Sequence, residues 1–219
     1  MNRRDFSLQL AAVGGAAALC GLGLPGAAFA QAGAPVEGKD YNKLKTPINL
    51  PKTGKVEVIE FFWYGCPHCN AFEPTIEPWI AKLPADVHFR RVPVQFDALK
   101  EIHQQVFYTW EALGLVDQMH VKTFSRFHVA HKPVNREDDM LLFARENGLD
   151  VARVKQAWNS FGVQAKIRQA NQLTDDYDVT RMPEMGIHGR FTAIAVPAAG
   201  PASVLVTTDF LVDRIRKGG

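Results

Sequence analysis

Glu60-Phe61-Phe62-Trp63-Tyr64-Gly65-Cys66-Pro67-His68-Cys69-Asn70 is the stretch on which the reading of this chain turns. It continues an almost unbroken apolar run, Val56 to Trp63, rich in β-branched and aromatic residues. That pattern suits a strand covered on both faces. After Gly65, Phe72, Ile76, Trp79, Ile80 and Leu83 recur at three- and four-residue spacing, which predicts a helix. Pro74 and Pro78 fall inside it and predict a kink, since each lacks an N–H and crowds a carbonyl one turn back. The two cysteines therefore stand where strand becomes helix. A disulfide between them closes a four-residue ring, worth only about 2 kcal/mol by loop closure, against about 4.7 kcal/mol for a hundred-residue loop. A bond that stabilises so little is easily broken, which favours redox chemistry over scaffolding.

The thiolate is the reactive form of cysteine. At the first turn of a helix, Cys66 meets unpaired backbone N–H groups and the positive end of the dipole. Pro67 suits that turn because its missing donor costs nothing there. His68 can add positive charge or a hydrogen bond. Thiol pKa values in such settings fall from about 8.5 to roughly 3.5–7.5. A stabilised thiolate stabilises the reduced pair, so the disulfide becomes the stronger oxidant, by about 30 mV per 1.4 kcal/mol. Cys69, one turn further in, is expected to be buried and to react second.

Working outward, Val87 to Val94 reads as a second strand, completing a βαβ unit. From Ala98 to about Ser160 the pattern is helical throughout. Leu99, Ile102, Val106, Trp110 and Leu113 form one stripe stopped by Gly114, and a second segment spans about Val116 to Val129. Asn135 and Asp150 are expected to cap a third and a fourth. Trp110, Phe124, Phe127 and Trp158 read as packing residues. A further helix should cover about Gly162 to Tyr177. Two weak strands are expected near Phe191 to Val196 and Ser203 to Val206, with Thr208 capping a last helix, Asp209 to Lys217. Upstream, the Pro- and Lys-rich lead-in to Thr53 has room for one edge strand.

The first thirty residues read as a cleaved signal peptide. Arg3 and Arg4 precede a Gly/Ala/Leu-rich run, Ala11 to Leu24, and Ala28-Phe29-Ala30 offers the small residues of a cleavage site. The run is shorter than the roughly 20 residues of a bilayer span. Arg3-Arg4-Asp5-Phe6-Ser7-Leu8 suits either the general secretory or the twin-arginine route, and Cys20 is expected to be lost on processing. Without Arg3, Arg4 and Asp5, the 25 basic and 23 acidic residues become 23 and 22. That balance gives no excess charge to attract nucleic acid or anionic lipid.

Other uses of a Cys-x-x-Cys pair fit less well. A zinc site needs two more ligands, and in His128-Val-Ala-His131 the gap is short of the usual finger spacing. Haem attachment needs His where Asn70 stands.

Phe61-Phe-Trp-Tyr-Gly-Cys66-Pro67-His68-Cys69, after an export signal and before a helical stretch, resembles the DsbA-type thiol–disulfide oxidoreductases of the bacterial periplasm, in the thioredoxin superfamily. The likeness runs from about Lys55 to Gly219. It implies an α/β thioredoxin fold made of residues 31–97 and 161–219, interrupted by an inserted all-helical subdomain, 98–160. It also implies a cis-proline facing the cysteines, a place that Met182-Pro183 fits. A cis bond there exposes the Met182 backbone for pairing with an extended substrate segment. The family usually has Gly where Arg181 stands, Val or Thr for Met182, and a small residue for Glu184. Gly186 is expected to weaken the strand that follows. Glu60, six residues before Cys66, matches the family's buried acid beneath the second cysteine, with Arg91 as a loosely aligned basic partner. Its expected role is proton acceptor for Cys69.

The resemblance thus implies a periplasmic protein dithiol oxidase that donates a Cys66–Cys69 disulfide to exported proteins with free thiols. A quinone-linked membrane oxidase of the DsbB type would recharge it. No cofactor or metal is expected beyond the cysteines themselves, and the chain should be a monomer. The rival readings are a reductase or isomerase using the same motif in the opposite direction, and a non-catalytic periplasmic chaperone or metal carrier.

Overall fold

The computed structural model describes residues 34–218. The leader readings, namely Arg3-Arg4, Cys20 and cleavage after Ala30, lie outside the described residues. Five strands form one mixed sheet in the order β1-β5-β4-β2-β3. They are β1 (Tyr41–Lys43), β2 (Val56–Phe62), β3 (Val87–Pro93), β4 (Glu184–Ile187) and β5 (Phe191–Ile194). Only β2 and β3 run parallel, from Val56 opposite Val87 to Phe62 opposite Pro93. The crossover between them is α1 (Pro67–Ile80), the expected βαβ unit. β1 takes the far edge as the lead-in strand, antiparallel to β5.

Between β3 and β4 come α2 (Ala98–Ala112), α3 (Val116–His128), α4 (Glu137–Glu146), α5 (Val151–Trp158) and α6 (Phe161–Asp176). Their starts are chemically marked. Asp97 accepts from the Lys100 N–H, Asp150 from the Ala152 and Arg153 N–H groups, and Ser160 from Val163. Asn135 is not the cap of α4: Arg136 holds that position, and Asp139 accepts from the Asn135 N–H instead. Trp110, Phe124, Phe127 and Trp158 are all buried in a core shared by these helices and the end of β2.

A second core lies on the other face of the sheet, where Val58, Met185 and Ile187 meet Phe72 and Ile76 of α1 and Leu211 of α7 (Ser203–Arg216). Here the expectation of a strand at Ser203–Val206 is overturned. Those residues open α7, and Thr208 lies in mid-helix, its hydroxyl donating back to the Val204 carbonyl at 2.8 Å. The β-branched Val204 and Val206 suggested a strand, but Val204, Leu205, Thr208, Leu211 and Val212 lie buried at helical spacing. The contacts with the sheet override propensity.

Strand β4 contains Gly186 and forms nonetheless. A Cβ at Gly186 would come within 2.7 Å of the Tyr177 ring and 2.9 Å of Phe61. The missing side chain is what lets Tyr177 lie on the sheet, where its hydroxyl accepts from the Gly189 N–H at 2.8 Å. Among the described residues no helix is long and apolar enough to cross a membrane.

Candidate active site

The turn from β2 into α1 carries the chemistry. Cys66 is the N-cap of α1 in extended conformation, and Pro67 begins the helix. The Cys66 N–H donates to the Trp63 carbonyl, closing a tight turn through Tyr64 and Gly65. Gly65 is required there: a Cβ would sit 2.3 Å from the Trp63 indole, which folds across it. That indole donates through Nε1 to His103 Nδ1 at 2.6 Å and lies under the Lys100 ammonium.

Cys66 and Cys69 are free thiols and the only cysteines among the described residues. Cys66 keeps a small exposed surface, while Cys69 is wholly buried. The Cys66 thiol is lowered from 9.0 to about 6. The leading cause is a hydrogen bond from the Cys69 thiol; backbone N–H groups of Cys69 and His68 at the helix start add to it, and the His68 charge contributes last. The pair thus divides its labour. Burial and the neighbouring Cys66 sulfur push the Cys69 thiol far up.

Across from Cys66 lies the Met182-Pro183 peptide bond, which is cis. The Met182 carbonyl is 3.8 Å from Cys66 Sγ, close enough to accept from its thiol. Residues 181–183 precede β4, so their backbone stands outside the sheet ladder.

Beneath Cys69 is a buried group of charges. Glu60 has no exposed surface, and Arg91, facing it from β3, donates through Nε to Glu60 Oε2 at 3.0 Å. The same guanidinium reaches Glu73 at 3.4 Å and Glu77 at 2.7 Å. One cation shared with half-exposed Glu77 cannot neutralise two buried carboxylates, so protons stay on Glu60 and Glu73. Burial raises Glu60 to about 8 and Glu73 to about 7, outweighing the pull of Arg91.

The residues singled out from the sequence, Cys66, Cys69, Pro67, His68, Glu60, Met182 and Pro183, lie together at one end of the sheet. Glu73 and two histidines of α3 were missed. His120 Nδ1 lies 2.9 Å from the Tyr64 hydroxyl and its Nε2 3.3 Å from Glu73 Oε1. His128 Nε2 donates to the Tyr64 carbonyl at 2.8 Å. No local signal marks these residues, because their partners lie tens of positions away in sequence.

A model of the DSBA-like thioredoxin domain matches residues 57–204. The thiol:disulfide interchange protein DsbA of Pseudomonas aeruginosa is 39% identical over 187 residues, 85% of this chain and 89% of that one. Its namesake from Burkholderia cepacia is 38% identical over 204 residues, 90% and 94% of the two chains. The crystal structure of Pseudomonas aeruginosa DsbA superposes with a TM-score of 0.79 at 39% identity, covering 83% of this chain and 94% of that one.

Proposed function

This chain belongs to the DSBA-like thioredoxin-domain family and is a thiol–disulfide oxidoreductase that introduces disulfide bonds; from that premise we propose how its own residues do so. A client thiolate attacks Cys66 Sγ of the Cys66–Cys69 disulfide. The S–S bond breaks, Cys69 leaves, and a mixed disulfide joins the client to Cys66. A second client thiolate then attacks the client's own sulfur in that bond, so the client leaves with a disulfide and Cys66 leaves as a thiolate. Two electrons end on the Cys66–Cys69 pair, and no other cofactor is needed.

The observation that carries this reading is the split between the two thiols. Cys66, held at about 6, is a good leaving group at neutral pH. Cys69, buried and pushed up, needs a proton as it departs. Glu60, at about 8, still holds one at pH 7. In the oxidising direction it therefore donates to Cys69, and when the pair is recharged it takes the proton back, which is the acceptor role expected from sequence. Pro67 starts the helix whose N–H groups face Cys66, and His68 adds charge beside it. Met182 and Pro183 form the opposite wall, where the Met182 carbonyl can pair with a client's main chain.

The setting we propose is the periplasm, reached through a leader cleaved after about Ala30, with exported proteins as clients and a DsbB-type quinone-linked membrane oxidase as recharger. We assign residues 31–97 and 161–219 to the thioredoxin-like domain and 98–160 to the helical insertion, in a monomer. Cys69→Ala tests the sulfur assignment: it should accumulate mixed disulfides through Cys66 in a periplasmic extract. Trapping through position 69 in the reciprocal Cys66→Ala variant, with none in Cys69→Ala, would reverse the roles.

A further inference from the structure

Beside the Met182-Pro183 turn opens a cavity of about 550 Å³, lined among others by Thr180, Arg181, Glu184 and Thr192. Its position follows from the chain. Met182 lies against Cys66, and Glu184 and Thr180 are each two residues away, so both backbones stand within roughly 7 Å of Met182. At that distance a side chain one or two residues from a client cysteine held on Cys66 can reach this space.

Glu184 is the unexplained group there. It is 5% exposed, and its Oε2 has no hydrogen-bond partner among the described residues. Burial raises it to about 7 against the help of the Thr192 hydroxyl, the Arg181 charge and the Thr180 N–H. An unmatched carboxyl at a sheet position costs stability that an apolar residue would not. The rest of the lining points to what would match it. The C-terminal end of α6 contributes Asp175, Asp176 and Tyr177, so the negative pole of that helix faces the cavity together with two carboxylates, and Asp178 adds a third. Lys43, Lys45 and Arg181 also line it, but all three are exposed and can carry their charges out into water. Glu184 cannot.

We infer that this cavity is a client subsite that takes a lysine or arginine side chain lying one or two residues from the client's reacting cysteine. The inference rests on the exchange reaction proposed above and adds a preference to it. An ammonium or guanidinium seated there pairs with Glu184, and the carboxyl gives up any proton it holds to solvent. The preference is for basic sequence beside the thiol, set by a residue that does not touch the sulfurs.

The test uses dithiol peptides identical except for Lys, Ala or Glu flanking the attacking cysteine, oxidised by the full-length protein after removal of its leader. The wild type should oxidise the Lys peptide roughly tenfold faster in kcat/KM than the Ala peptide, as expected of one charged hydrogen bond. Glu184→Gln, compared with itself across the same peptides, should bring that ratio close to one. Equal rates for Lys and Ala peptides with the wild type, or a preference that survives Glu184→Gln, would overturn the subsite and leave the exchange reaction standing. The wild-type panel decides even where the variant does not fold. Failure to oxidise any of the three peptides would overturn the exchange reaction itself, and the subsite with it.

Discussion

Among single residues, Cys66 carries the largest consequence. A thiol at about 6 is mostly ionised at pH 7, whereas one at 9.0 is not. That difference favours the reduced pair by about 1.4 kcal/mol at pH 7, or about 30 mV of oxidising power. The sign with pH follows from a lowered pKa: the gain is absent below about 6, grows as pH rises, and is complete only above 9. The reduction potential should therefore fall by about 59 mV per pH unit below pH 6 and by about 30 mV above it, where reduction takes up one proton fewer. A glutathione titration from pH 5 to 8 measures this, and a straight line through pH 6 would refute the ionisation of Cys66. Glu60 is tested by kinetics. Glu60→Gln should slow formation of the mixed disulfide about tenfold or more, since general acid–base help is typically worth 10²–10⁴. Stopped-flow Trp fluorescence is a suitable readout, with Trp63 next to the site.

At the level of elements, α3 is the piece that ties the helices to the redox turn. His120 spans from Tyr64 to Glu73, and His128 holds the Tyr64 carbonyl, so one helix fixes both the turn before Cys66 and an acid beneath Cys69. His120→Phe would keep the aromatic packing against Phe62 and Phe124 while stranding Glu73 Oε1 and leaving the Tyr64 hydroxyl only Thr123. A stranded group costs about 1–3 kcal/mol. Urea unfolding should show a loss of at least the lower figure. A smaller and cleaner loss, about 1 kcal/mol, is expected for Asp150→Ala, which removes only the cap of α5. This scale also shows where a sequence is readable. Cys66, Pro67 and Cys69 interact with their own neighbours, so their pattern is complete in eleven letters. Glu60 was legible through its place six residues before Cys66, where the family resemblance expects an acid. Glu73 and His120 gave no sign, because each is an ordinary residue of its helix until the fold brings them together. Ser203–Val206 was misread because β-branched residues describe a side chain's stiffness, while burial against the sheet decided the helix.

For the molecule as a whole, the buried acids set the response to pH. Glu60 at about 8, Glu73 at about 7 and Glu184 at about 7 all lie above the ordinary 4.5. Between pH 4.5 and 8 these carboxyls hold protons in the folded chain that the unfolded chain has released; His103, His120 and His188, all lowered by burial, oppose this below about 6.5, so it is above 6.5 that stability falls as pH rises. Thermal unfolding of the oxidised protein, in which Cys66 does not titrate, should give a higher midpoint at pH 6.5 than at pH 8. The opposite order would contradict the protonated state of these carboxyls. The architecture itself was largely legible, because βαβ periodicity and the run of helices are local patterns; the pairing of β5 with β1 and of β4 with β5 and β2 was not, since such short strands are defined by their partners. One last consequence comes from the sulfur count. With no third cysteine in residues 34–218, the oxidised pair has no sibling thiol to attack and no wrong partner to choose. Once the leader that carries Cys20 is removed, as proposed above, its oxidising equivalents can be discharged only into another molecule.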